Sequence, residues 1–167
     1  MSSIGVYFAF RLTSWMPESF GFPLRNALYR LAGAKIGRKV RIYSSARILG
    51  TGALEVGDDV HVGPDVMIYV NQSARVVIGN CVDIAPRVAI LTGGHEIDRD
   101  GEHIAGRGTA HDVRIGDGSW ICAGTTVLGG ATLGEKSLVA AGSVVRGGAY
   151  EGRSLIAGVP AKFKKRY

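Results

Sequence analysis

Residues 115–150 divide into consecutive six-residue units, IGDGSW, ICAGTT, VLGGAT, LGEKSL, VAAGSV and VRGGAY. Each unit begins with Ile, Val or Leu, and its fifth residue is small. Six residues are enough for one short strand and one tight turn. Three such units make one triangular turn of a parallel β-helix, whose coils stack at ~4.8 Å. The stretch therefore predicts two complete coils of a β-helix.

The same period extends through the preceding residues. Nine further units have Ile or Val at the first position, and the fifth position of all fifteen units is small except at Gln72. Interruptions at 54–55, 74–77 and 96–114 each follow a complete set of three units, so every insertion leaves from the same corner of the prism. The starting residues are Ile36, Ile42, Ile48, Val56, Val62, Ile68, Ile78, Ile84, Ile90, Ile115, Ile121, Val127, Leu133, Val139 and Val145.

We therefore expect an all-β solenoid of about five coils over residues 36–150, with an extruded loop at 96–114. Residues 1–35 are predicted to form two helices, the first over about 3–15 and the second from Pro23 towards Gly33. Residues 151–167 are predicted to be a basic tail with a short helix. Glycine recurs at the second position of the units, and we attribute this to left-handed backbone angles.

Composition narrows the class of protein. The chain is 46% hydrophobic and 20% charged, which argues against a disordered chain and a membrane bundle. Its net charge of +6 is concentrated at both ends: residues 1–50 hold eight Lys and Arg against Glu18, and residues 162–167 hold four. Such ends suit a phosphate-bearing ligand or an anionic membrane. Nucleic acid is disfavoured because aromatic residues are not interleaved with the basic ones.

Residues 4–16 are apolar but too few to span a membrane, which needs about 20 residues. Arg11 interrupts them and no cation precedes them, so a signal peptide is disfavoured. The segment either lies on a membrane surface or packs on the protein or a neighbouring subunit. We expect a cytoplasmic protein, with peripheral contact to the inner membrane left open, in which Cys81 and Cys122 are buried reduced thiols.

His95 ends the third set of units, where the long loop begins. Histidine suits a general base because it titrates near neutral pH. The histidines are spaced by 34, 8 and 8 residues, which does not match the zinc-binding β-helix carbonic anhydrases, so we expect no metal. Stacking of the units places Asn71 about 8 Å from His95, as a candidate to orient an acceptor. Asp98 or a backbone carbonyl is expected to fix the imidazole tautomer.

Three stretches resemble the hexapeptide-repeat acyltransferases, whose fold is a left-handed β-helix. They are IGNCVDIAPRVAILTGGHEID at 78–98, the repeats at 115–145, and AGVPAKFKK at 157–165. Within that superfamily, the chain is similar to the galactoside, maltose and polysaccharide O-acetyltransferases. The resemblance implies a homotrimer with acetyl-CoA bound between neighbouring prisms, and His95 as the base on an acceptor hydroxyl.

The resemblance also implies further site residues. Asp65 aligns with an acceptor-binding position, and we group Asp98 with the acceptor side. One departure is Arg146-Gly147, where relatives carry Thr-Lys, so Arg146 is expected to replace that lysine. The residues expected to contact CoA are Trp120, Ala123, Ala141, Ser143, Arg146, Lys162 and Lys165.

The sequence thus predicts an acetyl-CoA-dependent O-acetyltransferase that modifies a sugar, with the acceptor class inferred from the family alone. We expect the sugar to belong to a bacterial surface polysaccharide or its precursor. Two alternatives stay open: an N-acetyltransferase of an amino sugar, and a non-enzymatic β-helix that serves as an assembly module.

Overall fold

The computed structural model describes all 167 residues and begins with the two predicted helices. Helix α1 spans Ser3–Thr13, and the Ser2 hydroxyl accepts a hydrogen bond from the Gly5 N–H at its start. Helix α2 spans Phe22–Leu31, with proline in its first turn, and Gly33 follows it with a φ of 96°. The structure therefore confirms both predicted helices. In α2, proline marks the start and glycine the end, as predicted.

Twenty strands follow, most of two to four residues. In chain order they are β1 (Lys35–Ile36), β2 (Arg41–Ile42), β3 (Arg47–Gly50), β4 (Ala53–Val56), β5 (His61–Val62), β6 (Met67–Val70), β7 (Arg75–Ile78), β8 (Asp83–Ile84), β9 (Ala89–Leu91), β10 (Gly93–Ile97), β11 (Ala105–Ala110), β12 (Val113–Ile115), β13 (Trp120–Ile121), β14 (Thr126–Leu128), β15 (Ala131–Leu133), β16 (Leu138–Val139), β17 (Val144–Val145), β18 (Gly148–Tyr150), β19 (Ser154–Gly158) and β20 (Ala161–Arg166).

Three parallel sheets form the sides of a prism. The first sheet has the order β1-β4-β7-β12-β15-β18, the second β2-β5-β8-β13-β16-β19, and the third β3-β6-β9-β14-β17. This confirms the solenoid class and agrees with the left-handed β-helix that the family resemblance implies. The structure has five complete coils and two sides of a sixth. The prediction of five stopped too early because Tyr150 and Ile156 continue the inward positions, paired with Leu133 and Val139.

The first residue of every unit points into the prism, and all fifteen are at most 7% exposed. Each buried aliphatic side chain contributes roughly 1.5–3 kcal/mol from removal of its surface from water. Val6 and Tyr29 of the helices belong to the same hydrophobic cluster as the prism. The helices therefore close the N-terminal end of one continuous core.

The glycines at the second position do not have the left-handed angles predicted for them. A Cβ on Gly37 would lie 2.4 Å from the carbonyl oxygen of Gly57, and one on Gly57 would lie 2.7 Å from that of Gly79. Close approach of successive coils therefore requires glycine there. Left-handed angles occur instead at the fourth position, where even Lys39 and Asp65 have a φ of 55°.

A ladder of side chains follows the corner between the first and second sheets. Asp58 Oδ1 accepts the Arg38 backbone N–H at 2.7 Å, and Asn80 Oδ1 accepts that of Asp58 at 2.8 Å. Asp117 Oδ1 continues the ladder by accepting the Asn80 N–H at 2.9 Å. Each coil thus satisfies a turn amide of the coil before it, which removes the cost of leaving a backbone donor without a partner.

This ladder predicts a loss of stability in acid. The hydrogen bond from the Arg38 backbone, and then its guanidinium, lower the pKa of Asp58 below its ordinary 3.8. Because the folded pKa is depressed, the stabilisation is present above the ordinary pKa and is lost as pH falls through the folded value. In Asp58→Asn the amide oxygen still accepts the N–H, but the charge is absent. We expect its unfolding free energy to lie below that of the parent at neutral pH, with the gap closing below about pH 4 in urea titrations. A gap that does not change with pH would contradict this.

The C-terminal segment corrects a second prediction. Residues 161–166 form no helix, and β20 pairs antiparallel with β19 at the end of the second sheet. Backbone donors and acceptors of β19 would otherwise be unpaired at a sheet edge, so a strand is favoured there. Both cysteines are free, but Cys81 is exposed and Cys122 is half-buried, so neither is the fully buried thiol that was predicted. In neither helix does an apolar stretch reach the length that crossing a bilayer requires.

Candidate active site

The predicted extruded loop is a β-hairpin that leaves the corner between the third and first sheets. Strand β10 pairs antiparallel with β11, and His95 lies opposite Gly108. The imidazole is therefore held on a strand rather than on an irregular loop. His95 is exposed to solvent at the base of this hairpin.

The tautomer of His95 is fixed by a backbone carbonyl. Its Nδ1 lies 2.9 Å from the carbonyl oxygen of Gly106. Since a carbonyl oxygen only accepts, the neutral ring carries its proton on Nδ1, and Nε2 is left to accept a proton. Asp98 does not make this contact. Its carboxylate instead accepts the N–H groups of Asp100 and Gly101, so of the two partners expected for His95 the carbonyl is right and Asp98 is wrong.

Asn71 lies in the same cleft as His95, at the end of β6. Its Oδ1 lies 3.1 Å from the Thr92 hydroxyl, which also accepts the Asn71 backbone N–H at 2.8 Å. When that hydroxyl donates to Oδ1, the Asn71 amide nitrogen is left without a partner in the chain. A Cβ on Gly93 would lie 2.5 Å from Oδ1, so only glycine leaves room for this side chain.

The cleft has a volume of about 590 Å³ and is open to solvent. Besides the base and the amide, its walls include the ring of Tyr69, which is 41% exposed, and the side chains of Gln72 and Ser73. An aromatic face beside several hydrogen-bonding groups suits a polar ring with apolar faces. Sequence reasoning missed Tyr69 and Thr92. The sequence did contain a signal for Thr92, because it is a polar residue at the position where the preceding coil has the buried Val70.

The other predicted site residues lie away from this cleft. Asp65 is exposed on the corner between the second and third sheets, where its N–H donates to the Ser45 hydroxyl at 2.9 Å. Ala123 and Ala141 lie on that same corner two and three coils further along, and the Gly142 N–H donates to the Ala123 carbonyl at 3.0 Å. One chain therefore does not bring Asp65 or these alanines to His95.

Ser143 and Trp120 flank that corner. Ser143 is buried and its hydroxyl accepts the Gly158 N–H at 3.2 Å, which ties the corner to the C-terminal hairpin. Trp120 is 52% exposed on the outer face of the second sheet. Beside it, burial raises the pKa of the Cys122 thiol, which disfavours a thiolate nucleophile at neutral pH.

The predicted basic residues are divided between two places. Arg146 is exposed after β17, and its guanidinium makes no contact with a carboxylate. It therefore lies at the edge of the third sheet that carries His95. Lys162 and Lys165 are exposed on β20, opposite Ala157 and Leu155 of the second sheet.

His61 has the environment of a structural histidine. Burial, and then the charge of Arg41, lower its pKa, and its ring lies 5.0 Å from that of Tyr43. It is on the second sheet, away from the cleft. Within one chain, the structure thus brings His95 and Asn71 together and leaves the predicted cofactor residues mainly at the opposite edge of the third sheet.

Comparison with known proteins agrees with the repeat. Residues 112–147 match the family model described as bacterial transferase hexapeptide (six repeats). The chain is 33% identical over 120 residues to the "Putative colanic acid biosynthesis acetyltransferase WcaF" of Escherichia coli K12, a match that covers 72% of this chain and 62% of that protein. The chain thus spans less than two thirds of the length of this relative.

Solved structures show the same architecture over nearly the whole chain. The hexapeptide-repeat acetyltransferase VCA0836 of Vibrio cholerae superposes with a TM-score of 0.72 at 25% identity, over 98% of this chain and 90% of that one. It has also been solved with acetyl-CoA. A galactoside acetyltransferase in complex with coenzyme A shares the fold, with a TM-score of 0.77 at 18% identity, over 98% of this chain and 78% of that one. The chain is a hexapeptide-repeat protein with the β-helix architecture of the hexapeptide-repeat acetyltransferases.

Proposed function

We propose that the chain is an acetyl-CoA-dependent acetyltransferase that transfers an acetyl group to a saccharide hydroxyl. The observation that carries this proposal is the geometry of His95, whose Nδ1 is held by the Gly106 carbonyl in a cleft shared with Asn71. That arrangement leaves a proton acceptor beside an amide donor in a cleft large enough for a sugar.

The chemistry requires little else. Nε2 of His95 takes the proton of the acceptor hydroxyl while the hydroxyl oxygen attacks the thioester carbonyl carbon. The tetrahedral intermediate then collapses, the carbon–sulfur bond breaks, and the imidazolium returns the proton to the departing CoA sulfur. In this proposal the Asn71 amide nitrogen orients the acceptor. No covalent enzyme intermediate and no metal are needed.

We further propose that the active form is a homotrimer assembled through the third sheet. Its outer face carries a column of apolar side chains, Leu49, Tyr69, Leu91 and Leu128. The His95 cleft lies at one edge of this face, and Ala123 and Ala141 lie at the other. A cyclic assembly packed through this face brings the His95 edge of one subunit to the small-residue edge of the next.

In that assembly the pantetheine arm of acetyl-CoA lies along Ala123, Ala141 and Ser143 beside Trp120. Arg146 approaches from the neighbouring subunit, and Lys162 and Lys165 supply positive charge for the phosphates. Asp65 and Asp98 are proposed to contact the acceptor, Asp65 from the partner's edge.

The acceptor class rests on the relatives. The name of the Escherichia coli protein refers to colanic acid biosynthesis, and other structures with this fold carry the names galactoside and maltose acetyltransferase. We propose that the acceptor is a sugar of a bacterial surface polysaccharide or of its lipid-linked precursor, which agrees with these names. Because acetyl-CoA is a cytoplasmic metabolite, the reaction would take place in the cytoplasm or at the inner surface of the membrane.

The test is release of CoA thiol from acetyl-CoA in the presence of neutral sugars, amino sugars and nucleotide-linked sugars. We expect turnover with a hydroxyl acceptor, and the product should carry an ester that mild base removes. A base-stable amide on an amino sugar would instead assign N-acetylation. Absence of both acetyl-CoA binding and turnover across the panel would favour a non-enzymatic assembly module.

A further inference from the structure

The outer face of α1 is apolar although it lies at the surface. Ile4 is 69% exposed, Phe8 54% and Trp15 79%, and helical spacing places these residues on one side of α1 and the turn after it. The opposite side, with Val6 and Ala9, is buried in the core. A helix that is apolar on both sides normally has a second partner, and no other part of this chain covers the outer face of α1.

Positive charge accompanies this face. Neither helix contains an acidic residue, and Arg11 lies on the outer side of α1 without a carboxylate partner. Beside α2, a cleft of about 520 Å³ is lined by Arg30, Lys39 and Arg41 against the single carboxylate of Asp59.

The cations of this cleft are available to a ligand. Arg30 donates only to the carbonyl oxygens of Ile36 and Gly37, and those contacts do not neutralise its charge. Lys39 and Arg41 form no ion pair within the chain. The first 50 residues thus present unpaired cations beside α2 and an exposed aromatic surface on α1.

We propose that this end of the prism docks on an anionic lipid surface. Ile4, Phe8 and Trp15 enter the boundary between headgroups and acyl chains, and Arg11, Lys39 and Arg41 meet lipid phosphates. A second copy of the chain is a poorer occupant, because pairing two such ends would bring their unpaired cations together. Docking at this end leaves the sides of the prism, including the His95 cleft, free to reach a saccharide at the membrane.

The experiment measures co-sedimentation of the full chain with vesicles of phosphatidylcholine, with and without phosphatidylglycerol. We expect binding to the anionic vesicles only, weakening as salt rises. Phe8→Ser should lower the partition coefficient about tenfold or more. The pair Lys39→Glu and Arg41→Glu should lower it by at least about tenfold, since each cation near the surface contributes about fivefold. The control is Ile104→Ser, which removes an apolar side chain that is 67% exposed in the hairpin and should bind like the parent.

Tryptophan emission gives an independent measurement. The chain has two tryptophans, so a Trp120→Phe background leaves Trp15 as the only reporter. Its emission should shift to the blue with anionic vesicles and stay unchanged with neutral ones. Absence of binding to anionic vesicles at low salt would overturn the proposal. So would sedimentation equilibrium showing that Phe8→Ser splits a larger assembly, because a second copy would then cover the face. Neither result depends on acetyl transfer.

Discussion

His95→Ala is expected to lower kcat for acetyl transfer by about 10²–10⁴-fold, the usual contribution of a general base. The KM for acetyl-CoA should stay within a few-fold, because the residues proposed to bind CoA, apart from Arg146, lie at another corner of the prism. We expect the large fall in kcat because no other group in the cleft combines a free proton-accepting nitrogen with a fixed tautomer. Steady-state assays of CoA release at varied acetyl-CoA concentrations, with an acceptor found in the sugar panel, measure both constants.

Two variants control for structural damage. His61→Ala removes a histidine from the second sheet and should retain the parent rate, because His61 packs on Tyr43 away from the cleft. His95→Asn keeps a polar group on β10 and should be nearly as impaired as His95→Ala, with an unchanged thermal midpoint. A kcat for His95→Ala within a few-fold of the parent would show that another group accepts the proton.

The sequence predicted the fold well because the period of six is enforced by packing at every coil. A polar residue at Ile84 or Ile121 would be buried inside the prism, so selection leaves a regular signal. The sixth coil was missed because Tyr150 replaces an aliphatic residue at its first inward position. The C-terminal strand was missed because its formation depends on the free edge of β19, which is a tertiary property that local sequence does not record.

The glycines show a different limit. A glycine at the second position looks the same in the sequence whether it provides a left-handed angle or room for a neighbouring backbone. At Gly37 the deciding contact comes from Gly57, a full coil away. The left-handed angles lie instead at residues such as Lys39 and Cys81, which local propensity does not identify.

The candidate site was predicted only in part, for a related reason. The sequence pointed to His95 because it lies where an insertion begins. The six-residue period placed Asn71 at the same corner, one coil earlier. The contact of His95 with Gly106 crosses a hairpin whose register the sequence did not give. The residues predicted to bind the cofactor were carried over by resemblance, and their separation from His95 on one chain depends on the three-dimensional placement of the corners.

That separation leads to a sharp test of the proposed trimer. His95→Ala damages one edge of the third sheet, and Ala141→Trp fills the proposed CoA groove at the other edge. Each variant alone should be inactive. In a cyclic trimer that contains both kinds of subunit, one site always pairs an intact His95 edge with an intact groove. Co-expression of equal amounts should therefore restore about a quarter of the parent activity, because about three quarters of random trimers are mixed and about one third of their sites are intact.

A second pair of variants provides the control. Arg146 lies on the same edge of the third sheet as His95. In a mixture of Arg146→Glu with His95→Ala, this edge is therefore damaged in every subunit, at one residue or the other. That mixture should show no recovery, although all of its grooves are intact. Recovery in both mixtures would mean that His95 and Arg146 serve different sites. Mixed trimers can be verified with two affinity tags. If verified mixed trimers of the first pair show no recovery, each site is complete within one chain. A chain that sediments as a monomer would exclude a shared site altogether.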